Sequence, residues 1–242
     1  MWRDNLRAIY YIVLKDIKTY YLKPPSISWG IVFPIAWTLA FYLRHPGGFI
    51  NLIPGLIAMT ILFSTTAAEA VVINFELRLG SLERLLLAPV NLSAVLIGKI
   101  LGGVVFGLMM TIVITVGSTL VLGIYPNYFH LFLIIIPSLF VFASLGALLC
   151  VLVKEVFEAQ TLLNLPRFLM IFLSGVVYPI SAMPAALRYF SYILPLTHTV
   201  NGLRNAFGAG SNTTVIYEML ILFGFFLLFL IPAVKLLSKK FE

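Results

Sequence analysis

The residue types that do chemistry in enzymes are few in this 242-residue chain, and they are not grouped. His45, His130 and His198 lie in separate segments, and the single cysteine has no histidine at a metal-binding spacing. No serine occupies a G-x-S-x-G turn, and no G-x-x-x-x-G-K-[ST] loop is present to cradle nucleotide phosphates. The sequence therefore predicts no intrinsic catalysis, no metal site and no cofactor bound by this chain.

Glu69 and Arg167 are ionisable residues that lie well inside long apolar runs. A charge at the centre of a membrane helix costs at least about 2.5 to 3.5 kcal/mol. Glu69 precedes Glu76 by seven residues and Arg167 follows Glu158 by nine, which puts both at a similar depth of about 10 to 13 Å. The two either pair between helices and hold the inner end of a pathway, or snorkel separately to the headgroups.

Polar residues at helical spacing share one face of the run that carries Arg167. They are Gln160, Asn164 and Ser174. Such a face either lines a pathway or forms hydrogen bonds with a neighbouring helix.

The elements that carry these residues are predicted to be membrane helices. The chain is 61% hydrophobic and 10% charged, with a mean hydropathy of +1.06, whereas soluble domains carry about 25% charged residues. A helix needs roughly 20 apolar residues to cross a bilayer, and six runs approach that length. They are residues 27–43, 52–74, 96–124, 131–153, 161–178 and 215–237. Because these runs are uninterrupted rather than alternating, they predict an all-α membrane protein with six transmembrane helices.

Residues 1–26 alternate apolar and basic side chains at helical spacing, which predicts an amphipathic helix in the membrane interface. With the N-terminus inside, twelve of the 16 lysines and arginines are cytoplasmic, and only Arg44, Arg188 and Arg204 are external. This bias predicts that both termini are cytoplasmic, in a multi-pass protein of the cell membrane. The net charge of +7 then follows from topology and contact with anionic lipids, so no nucleic-acid partner is needed.

The external segment 179–207 is cut into short pieces by Pro179, Pro184 and Pro195. Pieces of this length cannot span a bilayer, and irregular backbone at membrane depth survives only against protein or water. Two short re-entrant helices are predicted here, with an ordinary external loop as the alternative.

The cytoplasmic segment 75–90, FELRLGSLERLLLAPV, interrupts the apolar runs with four charged residues. Gly80 permits a turn and Ser81 is a good N-cap, whereas Pro89 stops continuation. A helix of about two turns is marginal alone, so its leucines must pack on something.

These two segments resemble those of the membrane subunits of ABC-2 type exporters, closest to the drug-resistance and nodulation-factor branch. The resemblance covers nearly the whole chain, 1–242, as a single transmembrane domain. The matching residues are Glu76, Arg78, Gly80, Leu82, Glu83, Leu85 and Pro89, then Pro179, Pro184, Leu187, Pro195 and Arg204. The chain departs from many relatives at His198, where an aromatic residue is common.

The resemblance implies a homodimer joined to two copies of a separate ABC ATPase, which would bind ATP and Mg. Segment 75–90 would be the coupling helix that docks on the ATPase, and the complex would export an amphipathic drug, lipid or glycolipid. The residues implied in docking are Glu76, Arg78, Gly80, Leu82, Glu83, Arg84, Leu85, Leu86 and Pro89. The alternative is a stand-alone secondary carrier or a non-transporting membrane scaffold.

Overall fold

The computed structural model describes residues 2–44, 49–78, 80, 91–153, 155–208 and 212–241. These residues form helices, and no strand occurs among them, which confirms the all-α class. The helices are α1 (Trp2–Asp16), α2 (Pro24–Ile27), α3 (Phe33–Arg44), α4 (Phe49–Arg78), α5 (Leu92–Leu122), α6 (Tyr128–Leu152), α7 (Val156–Leu173), α8 (Ala185–Ser191), α9 (Pro195–Phe207) and α10 (Asn212–Phe241). Turns of π-helix at Ile17–Tyr21 and Ser28–Val32 lie on either side of α2.

Four of the described helices, α4, α5, α6 and α10, are long and apolar enough to cross a membrane. They coincide with the predicted spans at 52–74, 96–124, 131–153 and 215–237. The apolar helix Ser28–Leu43 is shorter. The remaining predicted span, 161–178, overlaps α7, which is not among these four helices. Helix α7 ends at Leu173, and Gly175 then adopts a left-handed φ of 78°.

Helix α4 is the centre of the bundle. Of its residues 52–69, 94% are buried, against α5, α6, α7 and α9. Its hydroxyl side chains donate to carbonyls one turn earlier in the same helix, as Thr60 does to Leu56 at 2.9 Å and Thr65 to Ile61 at 2.8 Å. These bonds satisfy the buried hydroxyls without a partner helix, so α4 can be enclosed on all sides.

Helix α1 packs along α5, with Ile12 against Gly98. Its buried face carries Ile12 and Asp16, whereas Leu6 is 53% exposed. The carboxylate of Asp16 meets Lys99 of α5 on this buried face.

Helices α8 and α9 lie within the predicted external segment. Most of α9 is buried against α4, α6 and α10, and the hydroxyls of Thr199 and Ser138 are 2.9 Å apart. Helix α10 is peripheral, since only 17% of its residues 213–239 are buried, and it packs mainly on α6 and α9.

Candidate functional site

A cluster of four charged side chains joins α1, α4 and α5. It consists of Lys15 and Asp16 at the end of α1, Glu76 near the end of α4, and Lys99 in the second turn of α5. The exposed fractions of the Asp16, Glu76 and Lys99 side chains are 0%, 1% and 1%. We call these four residues the junction cluster.

The ammonium group of Lys99 lies between two carboxylates. Its Nζ is 2.9 Å from Asp16 Oδ2 and 2.6 Å from Glu76 Oε2. Lys15 Nζ donates to Glu76 Oε1 and lies 3.4 Å from Asp16 Oδ1. Two cations therefore face two anions, and the mutual attraction offsets the cost of removing these charges from water.

The electrostatics of Lys15 reflect this arrangement. Burial alone would lower its pKa, but the hydrogen bond with Glu76 and the negative charges of Asp16 and Glu76 raise the pKa above the usual lysine value. Lys15 therefore stays charged at neutral pH and keeps Glu76 fixed to α1.

The junction cluster lies at the entrance to the predicted coupling segment. Glu76 is four residues before Gly80, whose φ of 64° confirms the predicted turn. The side chain of Arg78 and the residues Leu82, Glu83, Arg84, Leu85, Leu86 and Pro89 lie outside what the structure describes. Among the residues implied in docking, Glu76 is the one whose side-chain contacts the structure describes.

The Glu69–Arg167 ion pair is not formed in the structure. Arg167 Nε donates to Thr66 Oγ1 at 2.8 Å, and its guanidinium lies over the ring of Phe63 at 5.3 Å from the centroid. The Glu69 side chain turns instead toward α5 and α6, where a β-carbon at Gly103 would overlap its carboxylate. Both residues are buried, so neither snorkels to the surface.

The polar residues of the α7 segment do not form one group in the structure. Asn164 Oδ1 and Gln160 Oε1 accept from Arg167 Nη1 at 3.1 and 3.5 Å. Ser174 is buried at the opposite end of the helix and has no contact with this group. The three side chains therefore do not line one continuous surface.

The prolines of the external segment precede or begin its short helices. Pro184 precedes α8, Pro195 is the first residue of α9, and Pro179 precedes a short 3-10 turn. Arg204 on α9 donates to the carbonyl of Gly175, which holds α9 against the end of α7.

His198 links α9 to α10, a contact that sequence reasoning did not find. Its Nδ1 is 2.6 Å from Glu218 Oε2, and its Nε2 is 3.0 Å from the carbonyl oxygen of Tyr192. Burial lowers the pKa of His198, but the hydrogen bonds to Glu218 and Tyr192 outweigh it and raise the pKa above the ordinary value.

This raised pKa predicts a pH-dependent stability. The His198–Glu218 contact should stabilise the fold fully below about pH 6.5 and lose that effect as the pH rises through the raised pKa of His198. The melting temperature of the detergent-purified chain should therefore be higher at about pH 6 than at about pH 8. Glu218→Gln and His198→Phe should both flatten this slope, and an unchanged slope in Glu218→Gln would exclude the pair as its source.

The junction cluster was missed although two signals pointed to it. Lys99 lies inside the predicted span 96–124, where a charge needs a partner, and Asp16 is an acid among basic neighbours. The cluster holds no metal-ligand set, and no group of metal-ligating side chains occurs elsewhere in the described ranges. Its ion pairs connect α4 to both α1 and α5.

Comparison with known proteins points to one family. The family model described as "ABC-2 type transporter" matches residues 7–208. "Probable multidrug ABC transporter permease YbhS" of Escherichia coli (strain K12) is 30% identical over 177 residues, 71% of this chain and 46% of that relative. "Inner membrane transport permease YadH" of the same strain is 27% identical over 165 residues, 64% of this chain and 61% of the relative. The chain thus spans about half the length of the first relative.

Proposed function

This chain belongs to the ABC-2 type transporter family, and on that premise we propose that it is the membrane subunit of an exporter driven by a separate ATPase. It is a multi-pass membrane protein, as its apolar helices and its inner-membrane relatives indicate. The junction cluster carries the proposal, since it joins three helices directly before the segment expected to meet the ATPase.

The proposed topology has six spans and cytoplasmic termini. The four long helices would be the second, third, fourth and sixth spans. The helix Ser28–Leu43 would be the first span and α7 the fifth. Helices α8 and α9 would then be re-entrant from the external side. The burial of α9 within the bundle supports this assignment, because a free external loop would expose its backbone to water.

The proposed partners are two copies of an ABC ATPase, which bind ATP and Mg, and a second copy of this chain. The leucines of segment 75–90 would supply the docking area. The charges at Glu83 and Arg84 would set register and specificity. Closure of the ATPase dimer would move this segment, and Glu76 would pass the motion through Lys15 and Lys99 to α1 and α5.

The proposed cargo is an amphipathic molecule such as a drug, lipid or glycolipid. The name of the relative YbhS, which includes "multidrug ABC transporter permease", supports this class. Helices α4 and α7, which meet at Thr66 and Arg167, would rearrange between the two copies of the chain and release the cargo outward.

The test begins with the native chain, tagged and purified from its own membrane together with its ATPase. Leu85→Asp should reduce the co-purified ATPase by about tenfold or more, because a charged group would replace an apolar anchor in the contact. Arg84→Glu should reduce it as well, with a stronger dependence on salt.

Leu187→Asp is the matched control, since it makes the same change on an exposed leucine of the external helix α8. It should leave ATPase co-purification unchanged. Full ATPase recovery and full transport in both Leu85→Asp and Arg84→Glu would refute docking through segment 75–90.

A further inference from the structure

The guanidinium of Arg167 is a buried cation without an acidic partner among the described residues. The residue is 2% exposed, and none of the ion pairs found there includes it. An arginine side chain does not lose its proton in proteins, so the positive charge remains. Because a buried charge is stable only when it is paired or well hydrogen-bonded, a missing partner at this point requires an explanation.

The hydrogen-bond donors of Arg167 are only partly used. Nε bonds Thr66, and Nη1 bonds Asn164 and Gln160. The third nitrogen, Nη2, is buried and has no hydrogen-bond partner. A guanidinium has five N–H donors in a fixed fork, and its strongest partners are carboxylate and phosphate groups.

The nearby acid on α4 is not the missing partner. Glu69 lies one turn beyond Thr66, but its carboxylate packs toward Gly103, and neither of its oxygens accepts a hydrogen bond. Its side chain lies against Gly103 of α5 and Gly146 of α6, whereas Thr66 and Phe63 contact Arg167.

The amides that bind Nη1 are more accessible than the guanidinium itself, whose Nη2 is buried. Gln160 and Asn164 are half-buried on α7 and are neutral, so they can donate to an anion as well as accept from Arg167. Phe63 covers one face of the guanidinium, and Leu165, beside Asn164 in sequence, is 73% exposed. The group thus combines one fixed cation, two adaptable amides and apolar surroundings.

We propose that Arg167, with Gln160 and Asn164, binds an oxyanion, namely the phosphate or carboxylate group of an amphipathic molecule. The anion would supply the absent counter-charge, while its apolar part would lie along the exposed leucines of α7. This inference rests on the proposed function, since it assigns an acidic headgroup to the exported amphiphile.

The direct test measures binding to the purified full chain in an uncharged detergent. The probes are dioctanoyl phosphatidic acid, dioctanoylglycerol with the same tails and no charge, and inorganic phosphate. The acidic amphiphile should bind about tenfold or more tightly than dioctanoylglycerol. Equal binding of these two would overturn the proposal. If inorganic phosphate binds as tightly as the acidic amphiphile, the site binds a soluble oxyanion. If inorganic phosphate binds more weakly, the site binds the headgroup of an amphiphile.

Two variants locate the site. Arg167→Gln removes the charge and should abolish the preference for the acidic amphiphile. Asn164→Asp places a carboxylate where the amide now accepts from Nη1, so it should form an ion pair with the guanidinium of Arg167. This variant should therefore lose the preference for the acidic amphiphile and have a higher melting temperature. The second variant decides the question if the first does not fold, and a retained preference in Asn164→Asp would overturn the proposal.

Arg188→Gln is the matched control, because it removes the same charge from the external segment, where the guanidinium donates to the carbonyls of Ser181 and Met183. It should keep the full preference. Since these measurements use the chain without its ATPase, they separate the two proposals. ATPase docking that survives both Leu85→Asp and Arg84→Glu, with an intact anion preference, would count against the proposed function alone. Docking that is lost in those variants, with no anion preference in the native chain, would count against the anion site alone.

Discussion

Lys99→Met is expected to lower the free energy of unfolding by about 3 to 5 kcal/mol, the cost of removing one partner from a buried ion pair. The carboxylates of Asp16 and Glu76 are at most 1% exposed and would lose the cation that they share. Methionine keeps much of the apolar length of lysine, so the loss reports the charge. In thermal unfolding of the detergent-purified chain, the melting temperature should fall by roughly 10 °C.

A second substitution distinguishes charge from packing. Asp16→Asn in the Lys99→Met background leaves Lys15 paired with Glu76 and removes the excess negative charge, so part of the stability should return. Lys18→Met, at an exposed lysine two residues beyond Asp16, should change the melting temperature little. If the double variant were no more stable than Lys99→Met, the junction cluster would not be stabilised by charge balance.

Gly202→Val is expected to destabilise the chain by about 3 kcal/mol through overpacking between α9 and α6. A β-carbon at this position would lie 2.5, 2.7 and 3.0 Å from three side-chain carbons of Ile134, which is fully buried. The β-branched isoleucine has few rotamers with which to move aside. The melting temperature and the protease resistance of the external segment should both fall.

Ile134→Ala should rescue Gly202→Val, because the double variant keeps the number of side-chain carbons at this crossing. The matched control is Gly224→Val on α10, where an added β-carbon meets nothing within 4 Å. If Gly202→Val and Gly224→Val had equal effects, the loss would come from the residue type rather than from the contact of α9 with α6.

The length of the apolar runs was sufficient to predict the four longest helices of the bundle. Four predicted spans coincide with α4, α5, α6 and α10, and the prolines of segment 179–207 correctly indicated two short helices. The shift of α7 could not be predicted, since an apolar run does not reveal where its helix stops. The chain leaves the helix at Ser174, whereas the hydrophobic sequence continues to Tyr178.

The charged contacts were harder to predict because helix rotation decides them. Thr66 and Glu69 are three residues apart, which separates their directions by about 60° around α4. That angle directs Thr66 to Arg167 and Glu69 toward Gly103. Similar depth on two helices was therefore insufficient evidence for an ion pair.

The junction cluster depends on a contact between distant parts of the chain. Asp16 and Lys99 are 83 residues apart, and no local pattern connects them. Residues 1–26 were interpreted as a helix whose apolar face meets lipid, so no partner was predicted for Asp16. In the structure this helix lies on α5, and its buried side carries the carboxylate.

The exposed helix α10 has a consequence for the bilayer itself. Its apolar stretch of 27 residues would be about 40 Å long, whereas a hydrocarbon core is about 30 Å thick. Tilting of α10, kinking at Pro232 or local thickening of the bilayer would accommodate this hydrophobic mismatch, and a thinner membrane increases it. His198 on α9 contacts Glu218 near the N-terminal end of α10, so a change in the tilt of α10 would also change the position of α9.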